Sequence, residues 1–211
     1  MKKNWIDISV PLRDGMVHWP GDPAVRIRKI LSIRKGDAAD VSYLSMGSHT
    51  GTHMDAPAHF ISGKKTIDQM PFDATVGPAR VIEIRDGQAV RAEELEQKKI
   101  QPRERILFKT RNSPRCWKSK KFVKDFVYIS ESAAKFLAQR RVRMVGVDYL
   151  SVGGFFDDGA RVHRILLSAG IWIVEGLNMT GVAPGRHDLA CLPLKILGGD
   201  GAPARAAIRK I

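Results

Sequence analysis

The chain has 211 residues, 44% of them hydrophobic, enough for one domain with a sizeable core. Lysine and arginine outnumber the acids 35 to 22, a formal charge of +13, and two cysteines, Cys116 and Cys191, are too few for a disulfide framework. No apolar run approaches the ~20 residues of a membrane helix. Asn4 and Asp7 interrupt the N-terminal MKKNWIDISV, so no secretion signal is expected and a cytoplasmic location is the default.

Short segments rich in Val, Ile and aromatics, most bounded by Gly, Pro or Asp, predict strands over 5–10, 25–33, 41–46, 79–85, 105–109, 126–129, 144–147, 171–175, 192–197 and 205–208. Helices are expected over 92–99, over 131–141 after a cap at Ser130, and over 162–169 before Gly170. Strands outnumber helices without strict βαβ alternation. The expected fold class is therefore α/β or α+β with a mixed sheet or barrel.

The densest chemistry lies in SHTGTHMDAPAHF, residues 48–60, where His49, His53, Asp55 and His59 bring together three of the six histidines. Imidazole and carboxylate in combination suit Zn²⁺, Mn²⁺ or Fe²⁺. All four positions are odd-numbered, so an extended chain aims them to one side. Full extension would still hold the α-carbons of His49 and His53 roughly 13 Å apart. Gly51, midway, permits a bend that brings the rings together. A helix would also align His49 with His53, but Gly51, Thr52 and the Ala56-Pro57 step oppose it. The motif belongs on a strand end running into a loop.

Two distant residues join the candidate list. His163 is expected to open the third helix, and Glu175 to close the apolar strand IWIVE. A carboxylate at the end of a buried run needs a partner. A salt bridge to a basic residue would satisfy Glu175, and a polar helix start would account for His163; only the His49–Asp55 cluster favours a ligand role for them.

Other arrangements carry less. Ser48 beside His49 lacks a nucleophile elbow. Cys116 lies among basic residues that could lower its pKa, with no histidine nearby in sequence. The run Gly198-Gly199-Asp200-Gly201 reads as a turn before the last strand, since the phosphate-loop pattern is absent. Residues 98–124 hold eleven Lys or Arg against one acid, Glu104. That segment could grip nucleic acid, but no recognised binding motif frames its aromatics, and a solvated basic face is favoured.

With these residues in hand, the chain resembles the cyclase-like family of metal-dependent hydrolases, which includes bacterial kynurenine formamidases. The family pattern H-x-G-T-H-x-D-x-P-x-H is met at every fixed position from His49 to His59. Residues 162–206 resemble the family's C-terminal signature, and Trp19-Pro20-Gly21-Asp22 an N-terminal feature; the middle, 85–143, matches more loosely. The resemblance implies one domain over 1–211 with a swivelling β/β/α fold, a central mixed sheet or barrel flanked by helices, assembled as a homodimer or larger. It implies that His49, His53 and Asp55 hold one metal ion, with Asp55 bridging to a second completed by His163 and Glu175. Zn²⁺ is the expected ion, one or two per chain, with Mn²⁺ as the alternative. His59 would be the general acid/base, and Trp19 would border the substrate pocket. Asp148 and Ser151 would lie near the site, or else only cap a turn.

The implied activity is hydrolysis of a small-molecule amide by metal-bound hydroxide. N-formylkynurenine, giving kynurenine and formate in tryptophan catabolism, is the leading substrate, and a cyclic amide is the alternative. Two further readings stay open: a basic nucleic-acid-binding protein with a structural metal, and a catalytically silent relative. No membrane partner is expected.

Overall fold

Apolar side chains on the central strands alternate between two faces, and this alternation sorts the core into two layers. The computed structural model describes residues 4–211. Its strands are β1 (Ile6–Asp7), β2 (Arg26–Leu31), β3 (Val41–Ser45), β4 (His53–Asp55), β5 (Val76–Glu83), β6 (Ala89–Val90), β7 (Arg105–Lys109), β8 (Tyr128–Ile129), β9 (Met144–Gly146), β10 (Trp172–Glu175), β11 (Gly185–Pro193) and β12 (Gly201–Lys210). The helices are α1 (Phe72–Thr75), α2 (Ala92–Glu96), α3 (Asn112–Cys116), α4 (Glu131–Gln139) and α5 (Gly159–Ser168).

Strand β12 pairs with β11 along one stretch and with β4 along another. The sheet β12-β11-β5-β7-β9-β10-β4 thereby closes into a barrel, with β1 alongside β12. Strands β5, β7, β9 and β10 run parallel, and the other pairings of this sheet are antiparallel. The mixed α/β barrel flanked by helices is what the family resemblance implied. Met54, Val81, Leu107, Met144, Val174, Leu189 and Ala202 form one buried cluster, which the alternation assigns to the barrel interior. Ile82, Ile106, Phe108, Val145 and Ile173 point the other way, under Ala133, Ala134 and Leu137 of α4 and Val162 and Leu166 of α5.

Ser130 caps α4 as expected, its hydroxyl accepting from the Ala133 N–H at 3.2 Å. Helix α5 starts three residues before the expected Val162, because the Asp158 side chain caps it by accepting from the Arg161 N–H. His163 therefore lies within α5 and does not open it. The expected strand over 192–197 is displaced: β11 ends at Pro193, and its period-two burial falls on His187, Leu189 and Cys191. Within the basic segment, α3 was not anticipated because Asn112, Ser113 and Pro114 are weak helix formers.

Among the described residues β2 and β3 pair only with each other, and their hairpin leaves Ile30, Leu31, Val41, Tyr43 and Leu44 exposed. Among the described residues no helix is long and apolar enough to cross a membrane.

Candidate metal centre

Two glycines let distant segments meet. Gly51 takes φ +62°, the bend expected between His49 and His53, and a Cβ there would stand 2.9 Å from Leu12 Cδ2. Gly176 takes φ +72°, and a Cβ there would overlap the Gly51 carbonyl. The Thr52 hydroxyl locks the junction by donating to the Gly176 carbonyl at 2.6 Å and accepting from the Val10 N–H at 2.9 Å.

From this junction β4 runs antiparallel to β10, with Glu175 opposite His53 and Ile173 opposite Asp55. Directly paired residues share a face, so His53, Asp55 and Glu175 project together toward the helical layer while Met54 enters the barrel. The Ala56-Pro57 step then turns the chain into a 3₁₀ turn, Pro57–His59, which brings His59 back over His49 with ring centroids 3.8 Å apart. Helix α5 supplies His163, whose ring stacks on Phe60 at 4.4 Å.

All five expected ligands converge. His49 Nδ1 lies 2.9 Å from Asp55 Oδ1, and His53 Nε2 lies 3.6 Å from that oxygen and 3.2 Å from Glu175 Oε2. His163 Nε2 is 3.2 Å from Glu175 Oε1 and 3.7 Å from Asp55 Oδ2. Among the described residues Glu175 makes no ion pair with Lys or Arg, so the salt bridge that could have explained it is not what satisfies it.

The hydrogen bonds around the rings say what the cluster requires. His53 Nδ1 faces the Gly51 carbonyl at 2.9 Å, and His163 Nδ1 faces the Gly159 carbonyl at 2.7 Å. A carbonyl only accepts, so each Nδ1 carries the proton. In the neutral ring, Nε2 then turns a lone pair toward carboxylate oxygens. Lone pairs facing anions need positive charge between them, supplied by protons or by a cation. Among the described residues the fully buried Asp55 Oδ2 has no hydrogen-bond partner, which is costly unless a cation takes it. Imidazole nitrogens with carboxylate oxygens are a donor set for Zn²⁺ or Mn²⁺, and the residues fit such an ion.

The electrostatics of the cluster make the same demand. Burial opposes a charge on His49, but the hydrogen bonds and charges of Asp55 and Asp200 outweigh it and raise the pKa to about 9. Burial also opposes the charged form of His163, and Glu175 and Asp55 reverse it, raising the pKa. Asp55 and Glu175 would be pushed up by burial, yet the surrounding imidazoles hold both below the ordinary carboxylate range. His59 goes the other way: burial lowers its pKa against the pull of Asp55 and leaves the ring neutral.

The cluster floors a cavity of about 360 Å³, within the ~300–1,000 Å³ of small-molecule sites. Trp19, Phe60, Leu150 and Phe155 supply apolar walls, and Ser151 also lines the cavity. Trp19 is braced edge-on by Phe122 at 5.1 Å and leans on Phe155 at 5.7 Å. Asp148 is instead buried in a network with Thr110 and Ser113. Cys116 is buried too, and desolvation pushes its thiol up to about 12, against the lowering its basic neighbours suggested. Asp200, in the turn before β12, accepts from His49 Nε2 at 3.0 Å. Nothing in local spacing announces that contact, which joins residues 151 positions apart.

Comparison with known proteins identifies the family. Residues 6–153 match the family model described as "Putative cyclase". The chain belongs to the cyclase family. The kynurenine formamidase of Bacillus cereus is 36% identical over 208 residues, covering 98% of each chain. A predicted metal-dependent hydrolase from Bacillus stearothermophilus superposes with a TM-score of 0.87 at 30% identity over the full length of both chains. Isatin hydrolase A from Labrenzia aggregata superposes with a TM-score of 0.84 at 25% identity, covering 98% of this chain and 93% of its own. The family match ends before His163 and Glu175, but the full-length relatives span both.

Proposed function

We propose that this cyclase-family chain is a divalent-metal-dependent amide hydrolase, and that its substrate is an aryl formamide of the N-formylkynurenine type. One observation carries the reading: five ligand-type side chains from β4, α5, β10 and the preceding bend converge, four of them lining an aromatic-walled cavity and Asp55 buried among them.

His49, His53 and Asp55 would hold one ion, and Asp55, His163 and Glu175 would hold a second. Zn²⁺ suits these donors, and Mn²⁺ accepts the same set. When bound, such ions polarise a carbonyl oxygen and lower the pKa of water toward neutrality.

The chain's own residues do the rest. Trp19, Phe155 and Phe60 take an aromatic ring and aim the formyl group at the floor. His59, kept neutral by burial, accepts a proton from attacking water and returns it to the departing nitrogen. Its Nδ1 faces Asp200 at 3.7 Å, which leaves Nε2 for that exchange. Water oxygen bonds to the formyl carbon, the carbon–nitrogen bond breaks, and an arylamine and formate leave.

The similarity to an isatin hydrolase favours a second substrate, a cyclic aryl amide, on the same machinery. The exposed apolar hairpin β2–β3 supports assembly as a homodimer. Elemental analysis of the purified protein, with an assay of kynurenine release from N-formylkynurenine and of ring opening of isatin, tests the proposal. Metal together with formamide hydrolysis is expected. Metal with isatin opening alone would transfer the assignment to cyclic amides, and absence of both metal and hydrolysis would overturn it.

A further inference from the structure

Three rings face the metal floor, and each needs its second nitrogen fixed. For His53 and His163 a backbone carbonyl does this, accepting from Nδ1 and leaving Nε2 for the floor. His49 is reversed. Its floor-facing atom is Nδ1, beside Asp55 Oδ1, and its outward Nε2 meets Asp200 Oδ2 at 3.0 Å. We infer that Asp200 is the positioning residue of the metal centre, its carboxylate fixing the tautomer and plane of His49 and steadying His59 beside it. The inference rests on the metal-dependent reading above.

The backbone is built to put Asp200 there. Its carbonyl accepts from the Ala56 N–H at 2.9 Å, and the carbonyl of Gly199 accepts from Ile67 at 2.8 Å. The next residue, Gly201, stands opposite Asp55 in the β12–β4 register. A Cβ on Gly201 would come 2.5 Å from His49 Cε1 and 2.9 Å from Nε2, so the ring packs against bare backbone. The Ser48 hydroxyl donates to the other carboxylate oxygen, Oδ1, at 3.2 Å. Oδ2 also stands 3.7 Å from His59 Nδ1. One oxygen thus touches the ring proposed to ligate and approaches the ring proposed to move protons. A carboxylate behind a ligating imidazole orients it and raises its basicity, which a neutral carbonyl does less well.

The test compares wild type, Asp200→Asn and Asp200→Ala by Zn²⁺ affinity in chelator competition and by the visible spectrum of the Co²⁺-loaded proteins. Asn keeps an acceptor of the same shape without the charge, and near-ultraviolet circular dichroism confirms that each variant is folded. The expected result is a loss of Zn²⁺ affinity of ~10–100-fold in Asp200→Ala and a smaller loss in Asp200→Asn, with altered Co²⁺ bands. Affinities within about threefold of wild type, with unchanged Co²⁺ bands, would overturn the inference while leaving the metal centre intact. If the wild type itself bound neither ion, the metal-dependent reading would fail first.

Discussion

Removing metal should invert the pH dependence of stability, and the size of the effect follows from the ring of charges. In the chelated protein, His49 has a pKa of about 9 against 6.5 for a free imidazole. A raised pKa means that the folded state binds the proton more tightly. The resulting stability is fully present below pH 6.5 and is lost as pH rises through about 9. That displacement corresponds to about 3 kcal/mol at about 1.4 kcal/mol per tenfold. For a chain of this size it amounts to roughly 6–12 °C in Tm. His163 shifts in the same direction. In the Zn²⁺-loaded protein the ligand rings must be neutral, so the stability gained from metal grows over the same interval. Thermal melts with EDTA and with excess Zn²⁺, stepped from pH 6 to 9, should therefore diverge, the chelated protein falling while the gap widens. A flat or rising Tm in EDTA across that interval would refute the arrangement of charges argued here.

Removing a ligand and removing the proton carrier should separate cleanly. His53→Ala should lose metal and activity together, whereas His59→Ala should keep its metal and turn over ~10²–10⁴-fold more slowly. Metal analysis of both variants checks the division, and loss of metal from His59→Ala would make that residue a ligand. Gly176→Ala forces a side chain into the Gly51 carbonyl at a left-handed φ, so Tm and metal content should both drop. A Tm and metal content equal to wild type would show that the junction yields freely. Trp19→Ala should raise KM for an aryl formamide by about 2- to 10-fold with kcat nearly unchanged, read from steady-state kinetics. A fall in kcat at constant KM would place Trp19 in the chemistry and not in ring binding.

Where the fold was legible, a strong local pattern agreed with what closes over it. Strands β7 and β9 and helix α4 are bounded nearly as expected, because the short apolar runs around Ile106 and Val145 follow charged residues and Ser130 is an unambiguous cap. The misplaced strand at 192–197 has the opposite cause. Its apolar residues Leu194 and Leu197 are exposed beyond the end of β11, while the true strand alternates through Arg186, His187 and Asp188. Burial of His187 between β5 and β12 comes from barrel closure, which no local window contains. The start of α5 was misjudged because Gly159 is a poor helix former, yet the Asp158 cap and the close passage against Gly153 hold it helical.

The site divides along the same line. His49, His53, Asp55 and His59 were legible because one short segment carries them, and one glycine bend suffices to fold them together. His163 and Glu175 come from α5 and β10 and Asp200 from the turn before β12, and strand pairing is what delivers the last two. Strand β4 lies where the barrel closes, with β10 on one side bringing Glu175 opposite His53 and β12 on the other bringing Gly201 opposite Asp55. A one-residue slip of either pairing would turn Glu175 or the bare face of Gly201 away from the ligands. The three residues of β4 are therefore constrained from both edges and from both faces, with Met54 filling the barrel between the two ligands it separates. Two buried carboxylates at such a seam would weaken the closure if left uncompensated. The positive charge that satisfies them, protons in the chelated protein and divalent ions in the loaded one, thus stabilises the barrel at the point where the chemistry is proposed to occur.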